Sequence, residues 1–219
     1  MREPILADVL HESPDLLVLN KPANISMLRD RSGAEDLWSL INQTAKHYLV
    51  HRLDKGTSGV LLVAKTQSRQ STLTQAFAER RVRKFYLAQV VGEFPRGSTL
   101  SIDLPLRKGR KSRYRVAAQR QAIQRTGVGW QVQADSEAAE AFTRVRTLSS
   151  ANGRSWVLAQ PRTGRTHQLR VHLSWVGFPI VGDQLYGRPS DPEQAASRLM
   201  LHCHRLVLPG GETYSAAFP

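Results

Sequence analysis

The most constraining stretch of this chain is an apolar run at residues 60–64, Val-Leu-Leu-Val-Ala, which follows directly on a polar segment at residues 51–59. A short run dominated by Val and Leu predicts a strand that is buried on both faces. The polar segment is then the loop through which the chain enters the strand. Because a buried strand is rigid, we expect Asp54 in this loop to hold a carboxylate at the edge of a fixed element.

Asp54 has Arg52 and Lys55 as close neighbours in the chain. A cation within a few ångströms favours the ionised form of a carboxylate, typically by roughly 1 to 3 pKa units. An ionised carboxylate suits a nucleophile better than a general acid, whose pKa has to be raised. A lone Asp in a loop is also typical of a surface ion pair or a turn cap, so this residue alone leaves both roles open.

The charge of the chain points to a polyanionic partner. In 219 residues, 31 Lys and Arg stand against 18 Asp and Glu, which gives a formal net charge of +13. Neutralisation of phosphates by such cations drives nucleic-acid affinity, and a membrane surface is the competing explanation. No apolar run approaches the roughly 18 residues of a spanning helix, and the N-terminus lacks an apolar signal region. We therefore expect a soluble, cytoplasmic protein, and the single Cys203 fits a reducing compartment.

Apolar periodicity and capping residues predict three helices. A capping-box pattern precedes the first, over about residues 34–48, and Thr66 can cap the second. Thr163 and Gly177 are the predicted N-cap and C-cap of the third. This assignment places Arg165 near the start of the third helix.

Short apolar or alternating runs predict the strands. Asn152 and Gly153 form a two-residue hairpin turn between the last two of them. The predicted strands cover residues 5–10, 15–20, 60–64, 84–92, 142–148 and 155–159. Residues 93–138 are rich in Gly, Pro and basic residues and are predicted to be a variable insertion. Because no long linker interrupts the chain, we expect one domain over residues 1–219 with its core at about 15–208.

Several segments, in order along the chain, resemble the signatures of the RluA family of RNA pseudouridine synthases. They are His-Arg-Leu-Asp and Thr-Ser-Gly at 51–59, Lys-x-Tyr-x-Ala at 84–88, Thr-Gly-Arg-x-His-Gln-Leu-Arg at 163–170 and Pro-Ile-x-Gly-Asp-x-x-Tyr-Gly at 179–187. Asn-Lys-Pro-Ala-Asn at 20–24 and Leu-His-Cys at 201–203 resemble two further elements. The resemblance implies an α+β fold with a mixed, mainly antiparallel central sheet, flanking helices and loops, and a central RNA-binding cleft.

The resemblance also implies roles for individual residues. It gives Asp54 the catalytic role, pairs Arg165 with Asp54 in a salt bridge, and lays the ring of Tyr86 against the target base. Leu169 is the candidate apolar wall of the base pocket. Arg52 would fill the gap that an extruded base leaves in the RNA stack, or would serve as a second ion-pair partner for Asp54.

Further candidates for RNA contact come from the same signatures and from a basic run at residues 107–115. A basic run is often only a solvated loop, but the charge of the whole chain favours contact with RNA phosphates. These candidates are His51, Thr57, Lys84, Arg107, Lys108, Arg110, Lys111 and Arg113.

The reaction implied by the resemblance breaks the C1′–N1 bond of uridine and rejoins the ring through C5. Nothing is added or lost, so no cofactor and no metal are expected. The target base must leave the RNA stack, which costs a few kcal/mol. Whether Asp54 attacks the sugar or takes a proton from it stays open. The expected partner is tRNA, large-subunit rRNA or both, with no membrane, no obligatory protein partner and a monomeric enzyme.

Two other classes of protein compete with this interpretation. A metalloenzyme could use His167, His172 and the segment 202–204, but the five-residue spacing of the first two is wrong for one helix face, and no Cys-x-x-Cys pair is present. A noncatalytic RNA-binding module would account for the basic charge equally well. No S4-type domain is expected before residue 15, so the insertion at 93–138 would select the RNA.

Overall fold

The computed structural model describes residues 7–29, 33–43, 45–97, 99–110, 113–132, 138–187 and 195–219. The strands are β1 (Asp8–Glu12), β2 (Leu16–Lys21), β3 (Tyr48–Leu49), β4 (Ser58–Ala64), β5 (Arg83–Val91), β6 (Leu100–Asp103), β7 (Leu106–Lys108), β8 (Tyr114–Val116), β9 (Gln124–Thr126), β10 (Gly129–Gln131), β11 (Phe142–Ala151), β12 (Arg154–Pro161), β13 (Leu201–Val207) and β14 (Thr213–Ser215). The α-helices are α1 (Leu37–Ile41), α2 (Gln67–Ala78) and α3 (Gln168–Trp175). A helix able to span a bilayer is not found in these ranges.

The chain forms two compact units. The first unit combines Met1–Lys84 with His202–Pro219, and the second unit is Phe85–Leu201. Both contain strands of a mixed sheet, as the predicted α+β class requires. The prediction that the whole chain is one domain stays a prediction.

The first unit is built around β4. Its strand order is β1-β2-β4-β13, with β3 also paired to β4 and β14 to β13. β2 runs antiparallel to β4, and β13 runs parallel to it. Every residue of β4 is buried, and Leu61 and Val63 pack with Leu19 of β2 and Leu37 of α1. The predicted buried strand is therefore confirmed.

The second unit has the strand order β5-β12-β11-β6-β10-β9, and β7 and β8 form a separate pair. β5, β12, β11 and β6 are successively antiparallel, whereas β10 runs parallel to β6. Asn152 (φ 51°) and Gly153 (φ 68°) adopt the left-handed conformation at the turn between β11 and β12. This is the predicted hairpin, and the mixed, mainly antiparallel pattern of the sheet is confirmed.

The helix predictions were correct in part. Thr66 caps α2, because its hydroxyl accepts from the backbone N–H of Arg69 at 3.2 Å. The helix predicted over 34–48 was wrong in length, because α1 ends at Ile41 and Tyr48 instead pairs with Ala64 of β4. Edge pairing with a buried strand outweighs weak helix propensity there. The N-cap of α1 is Asp36, one residue after the predicted capping box at residues 32–35, in which Ser32 lies outside the described residues.

Candidate functional site

Asp54 begins a four-residue turn at the entrance to β4. Its carbonyl oxygen accepts a hydrogen bond from the backbone N–H of Thr57 at 3.0 Å. Leu53 and Thr57, on either side, are buried, whereas Arg52 and Lys55 are exposed and Asp54 is half-buried. The turn is therefore anchored at both ends, and it holds a carboxylate that solvent or a ligand can reach.

Lys21, the last residue of β2, holds this turn from within the first unit. Its side chain is fully buried, and Nζ donates to the carbonyl oxygens of Pro22 (2.9 Å), Lys55 (3.2 Å) and Thr57 (2.9 Å). Burial lowers the pKa of Lys21 to about 8, and the negative charge of Asp54 acts in the opposite direction. Lys21 thus clamps the Asp54 turn and interacts electrostatically with its carboxylate.

Sequence reasoning did not assign Lys21 to the site. It attributed the positive surroundings of Asp54 to Arg52 and Lys55 in the same loop and, through the resemblance, to Arg165. A signal was nevertheless present, because Lys21 stands two positions after a run of four buried apolar residues of β2 and precedes Pro22. A lysine at the end of a buried strand has to find acceptors for its ammonium group.

A glycine and a buried histidine fix the register of β4, the strand that follows Asp54, against β13. Gly59 has a φ of +112° and lies opposite Cys203, and a Cβ at this position would clash with the carbonyl of Cys203. His202 Nε2 lies 3.1 Å from the carbonyl of Ala216, so it donates, and Nδ1 accepts from the hydroxyl of Ser58 at 2.8 Å. The Thr-Ser-Gly and Leu-His-Cys segments therefore hold two adjacent parallel strands together.

His51 and Thr57, two candidates for RNA contact, have structural partners in the first unit. His51 Nε2 accepts from the backbone N–H of Leu62 at 2.9 Å, and its ring stacks on Phe77 with centroids 4.7 Å apart. Burial lowers the pKa of His51 to about 3, so the ring is neutral. Thr57 is only 2% exposed. Both residues stabilise the loop, and direct RNA contact by either stays a prediction.

Lys84, the third of these candidates, is half-buried on β5. Burial lowers its pKa, which the nearby Cys203 raises and Arg80 lowers further. Its predicted contact with RNA stays a prediction.

Arg165 lies in the loop between β12 and α3 in the second unit. Its backbone N–H donates to Gln168 Oε1 at 3.0 Å, and its Nε donates to the carbonyl of Glu140 at 3.0 Å. The hydroxyl of Thr163 also donates to Gln168 Oε1, at 2.7 Å. A guanidinium has five N–H donors, and the bond to Glu140 uses one of them. Because Gln168 Oε1 accepts from both Arg165 and Thr163, the side chain of Gln168 closes the loop.

This closure explains why the predicted start of the third helix was wrong. α3 begins at Gln168, and its N-cap is His167 in the left-handed conformation, with a φ of 57°. Thr163 binds the Gln168 carboxamide and also accepts from the backbone N–H of Phe142 at 3.0 Å, so it caps no helix. The predicted C-cap was off by one residue, because the C-cap is Val176 and Gly177, with a φ of +99°, follows it.

Gln168 also joins the Arg165 loop to β11. Its Nε2 donates to the carbonyl of Phe142 (3.1 Å) and to the hydroxyl of Thr143 (3.0 Å). That hydroxyl lies 3.0 Å from His172 Nδ1, and His172 Nε2 lies 2.9 Å from the carbonyl of Leu104. Burial lowers the pKa of His172 to about 4, so the ring is neutral, donates through Nε2 and accepts from Thr143. The Arg165 loop thus rests on a buried chain of hydrogen bonds.

Tyr86 and Leu169 belong to one apolar cluster of the second unit. Tyr86 lies on β5 opposite Ala159 of β12 and is half-buried against the core that contains Leu169. Leu169 is 6% exposed and lies in the first turn of α3. Tyr86 and Leu169 thus pack in the same apolar core of the second unit, and their roles in a base pocket stay predictions. Asp54 belongs to the first unit and Arg165 to the second, and their predicted salt bridge stays a prediction.

The basic run forms a hairpin, not an irregular loop. β7 pairs antiparallel with β8, with Arg107 opposite Arg115 and Lys108 opposite Tyr114. Lys111 lies outside the described residues. The exposed cations of the hairpin are Arg107, Lys108, Arg110, Arg113 and Arg115.

The imidazoles required by the metalloenzyme alternative have other partners. His167 Nδ1 lies 2.8 Å from the hydroxyl of Tyr186, and His204 Nδ1 lies 2.8 Å from the carbonyl of Ala216. In the part of the chain that the structure describes, no three His, Cys, Asp or Glu side chains are grouped as a metal site.

Known proteins resemble this chain over most of its length. A family model described as RNA pseudouridylate synthase matches residues 15–175. An uncharacterized RNA pseudouridine synthase of Zymomonas mobilis is 37% identical over 212 residues, covering 94% of this chain and 89% of the relative. The dual-specificity RNA pseudouridine synthase RluA of Yersinia pestis is 34% identical over 205 residues, covering 91% of each chain. The solved structure of human RNA pseudouridylate synthase domain containing 4 matches with a TM-score of 0.78 and 27% identity, covering 96% of this chain and 88% of that one.

Proposed function

The chain belongs to the RNA pseudouridylate synthase family, and from this premise we propose that it converts specific uridines in structured RNA to pseudouridine, with Asp54 as the essential group. The observation that carries the proposal is the Asp54 turn. A half-buried carboxylate stands at the entrance to a fully buried strand, in a turn that Lys21 clamps through the carbonyl oxygens of Lys55 and Thr57. A group that must act on one atom of a bound nucleotide needs such a rigid support.

Conversion of uridine to pseudouridine requires one reactive carboxylate and a pocket that retains the detached uracil ring. The C1′–N1 bond breaks, the uracil turns, and a C1′–C5 bond forms. N1 gains a proton and C5 loses one, so the product is an isomer of the substrate. Asp54 either attacks C1′ or removes a proton from the sugar, and both routes require its ionised form.

Three residues of the second unit are proposed to complete the pocket. Arg165 pairs with the Asp54 carboxylate, Tyr86 lies against the uracil, and Leu169 forms an apolar wall. The motif resemblance supports the roles of Arg165 and Tyr86, and the need for a dry pocket supports that of Leu169. The attachment of the Arg165 backbone to Gln168, and the shared apolar cluster of Tyr86 and Leu169, are compatible with them. Stacking of a base on an aromatic ring is worth about 1 to 3 kcal/mol and is largely independent of base identity.

The RNA is proposed to be held by exposed cations. Arg52, two residues before Asp54, would fill the gap left by the extruded base. A role as an additional ion-pair partner for Asp54 is the alternative. The hairpin cations Arg107, Lys108, Arg110 and Arg113 would contact phosphates, which position an RNA without specifying its sequence.

The names of the relatives suggest the class of RNA. The Yersinia pestis relative is named for dual specificity, and a Borreliella burgdorferi relative, 33% identical and matched over 61% of its length, is named a large-subunit synthase. We propose tRNA, large-subunit rRNA or both as substrate. Mapping pseudouridines by carbodiimide-blocked reverse transcription, in cells with and without the protein, would identify the site.

We further propose a monomeric enzyme that works in the cytoplasm without an obligatory protein partner. The single, buried cysteine is compatible with a reducing compartment. One relative, from Xenopus tropicalis, is named mitochondrial, so imaging of the tagged protein is the direct test. Light scattering of the purified protein would test the monomer.

The decisive experiment is the Asp54→Asn variant, assayed by tritium release from RNA that carries 5-tritiated uridine. We expect no release, while RNA affinity stays within about tenfold, because the phosphate contacts are unchanged. Asp8→Asn, at an exposed position of β1, is the matched control and should keep full activity. Turnover by the Asp54 variant would remove Asp54 from the mechanism. RNA binding without tritium release by the wild type would favour the noncatalytic module.

A further inference from the structure

The cationic hairpin of β7 and β8 is fastened to the second unit at its base. Leu106 and Val116 are buried in the core, and Leu106 exchanges two backbone hydrogen bonds with Ala139, both 2.9 Å long. Beyond its base, Arg107, Lys108, Arg110, Arg113 and Arg115 are exposed. Two short strands alone are marginally stable in water. The direction of the cationic end therefore depends on contacts beyond the base.

The hydroxyl of Tyr186 supplies such a contact. It accepts from the backbone N–H of Tyr114, the first residue of β8, at 2.9 Å. The same oxygen lies 2.8 Å from His167 Nδ1, and the rings of Tyr114 and His167 meet edge to face at 5.9 Å. One hydroxyl thus joins the cationic end of the hairpin to the N-cap of α3.

Tyr186 is itself held in place by three side chains. Asp183, buried, accepts from the backbone N–H of Tyr186 at 3.0 Å and binds Arg170 through two bonds of 2.8 and 2.7 Å. The guanidinium of Arg170 lies over the Tyr186 ring, 5.2 Å from its centroid. Ser174 donates to the carbonyl of Tyr186 at 2.7 Å. Tyr186 is therefore fixed against α3, which supplies both Arg170 and Ser174.

The Tyr186 hydroxyl bridges two segments: the hairpin, through Tyr114, and the loop that carries Arg165, through His167. His167 follows Arg165 by two residues and adopts the left-handed conformation that turns the chain into α3. Gln168, next in the chain, accepts from the Arg165 backbone N–H. A shift of His167 would therefore move the Arg165 loop, and a fixed His167 sets the distance from that loop to the hairpin.

We propose that Tyr186 is a positioning residue that sets the cationic hairpin in register with the Arg165 loop. RNA phosphates bound by the hairpin then lie at a defined distance from the target nucleotide at the Arg165 loop. The inference rests on the proposed function, because it gives Tyr186 its importance through the RNA that the hairpin binds. Tyr186 itself touches no reacting atom.

The Tyr186→Phe variant tests this role, because it removes only the bridging oxygen. The substitution removes the contacts of this oxygen with the Tyr114 amide and with His167 Nδ1, and a loss of this kind in a binding element corresponds to about a fivefold change in affinity. We expect KM for RNA to rise about fivefold with kcat within about twofold of the wild type. Tyr214→Phe, which removes a hydroxyl in the first unit, should leave both constants unchanged. An unchanged KM in the Tyr186 variant would overturn the proposal.

A double-mutant cycle separates positioning from simple loss of stability. Arg113→Gln should weaken RNA binding in the wild type but weaken it less in the Tyr186→Phe background, because a misplaced hairpin already wastes that contact. Arg146→Gln, at an exposed position of β11, should have additive effects. Additivity between Arg113 and Tyr186 would also overturn the proposal.

Hydrogen exchange without RNA keeps the two proposals distinguishable. The amide of Tyr114 should exchange faster in Tyr186→Phe, because it loses its acceptor, and unchanged exchange would contradict the bridge. This readout, like the binding cycle, needs no catalysis. A wild type that binds RNA but releases no tritium would therefore refute the proposed function and leave the test of Tyr186 intact.

Discussion

The ammonium group of Lys21 donates a hydrogen bond to the carbonyl oxygen of Thr57, at 2.9 Å, from a side chain with no exposed surface. Thr57 closes the turn that Asp54 opens, so this bond connects the end of β2 to the candidate catalytic residue. Burial of the ammonium costs stability, and two of its three hydrogen bonds go to the Asp54 turn. This combination indicates a role in function more than in folding.

Lys21→Met is expected to reduce activity much more than stability. The lowered pKa of Lys21, about 8 against 10.5, corresponds to a burial cost of about 3 kcal/mol that Met would relieve. Three carbonyl oxygens would lose their donor, which offsets most of that gain. We expect unfolding free energy in urea to change by less than about 2 kcal/mol and kcat to fall at least about tenfold. Lys65→Met, which breaks an exposed ion pair with Glu12, is the control and should change neither. Wild-type kcat in the Lys21 variant would contradict the clamp.

The proposed pairing of Arg165 with Asp54 can be measured without catalysis. If the two charges pair, Arg165→Met and Asp54→Asn should be non-additive in unfolding free energy, with a coupling of about 1 kcal/mol or more. The exposed Arg162 offers the matched substitution Arg162→Met, which should combine additively with Asp54→Asn. Zero coupling for Arg165 would mean that the salt bridge does not form in the free protein.

Gln168→Met should lower kcat while leaving RNA affinity nearly unchanged. Met has a similar volume but cannot accept from Arg165 and Thr163 or donate to Phe142, so the loop loses its closure. We expect kcat to fall about tenfold or more, because a displacement of about 1 Å can cost 10²-fold. Gln124→Met, at an exposed position of β9, should be silent in the same tritium-release assay. A larger effect on RNA binding than on kcat would argue against a role through Arg165.

Gly59→Ala should be among the most destabilising single methyl additions in the chain. The added Cβ would clash with backbone atoms of Cys203, and the φ of +112° is unfavourable for any L side chain. We expect a loss of about 3 kcal/mol or more in chemical unfolding. Gly210→Ala meets nothing within 4 Å and should change stability by less than about 0.5 kcal/mol. Equal stabilities for the two variants would refute the close approach of β4 and β13.

Acidification should weaken the fold through His172. Its pKa is about 4 in the folded protein and 6.5 when unfolded, so between these values the unfolded state binds more protons. The free energy of unfolding that depends on a neutral His172 is fully present above pH 6.5 and is lost as the pH falls toward 4. The total loss is about 3 kcal/mol. Urea unfolding of the wild type and His172→Gln from pH 7 to 4 should show their difference shrinking on acidification. A constant difference would contradict a buried neutral ring. His51 is present in both proteins, so its own titration cancels.

Local sequence patterns predicted many of the secondary-structure elements of this protein. The apolar run before Lys65 gave β4, Thr66 gave the start of α2, and Asn152-Gly153 gave the hairpin, because each depends on residues adjacent in the chain. The motif resemblance identified the family on the same basis. Where local pattern failed, a distant contact had intervened: Tyr48 pairs with β4 instead of extending α1, and Gln168 closes the loop that was expected to be helix.

The residues that support the site could not be identified in this way. Lys21 reaches carbonyl oxygens 34 and 36 positions away in the chain, and the Tyr114 amide meets the Tyr186 hydroxyl across 72 positions. A buried polar group must find a partner, but its sequence neighbourhood does not say which one. The charge of the chain therefore sufficed to indicate a polyanionic partner, and the motif resemblance was needed to give Asp54 its role. Only the folded chain assigned the acceptors of Lys21, the closure by Gln168 and the bridge at Tyr186, because hydrogen bonds between distant segments exist only after the sheet has brought those segments together.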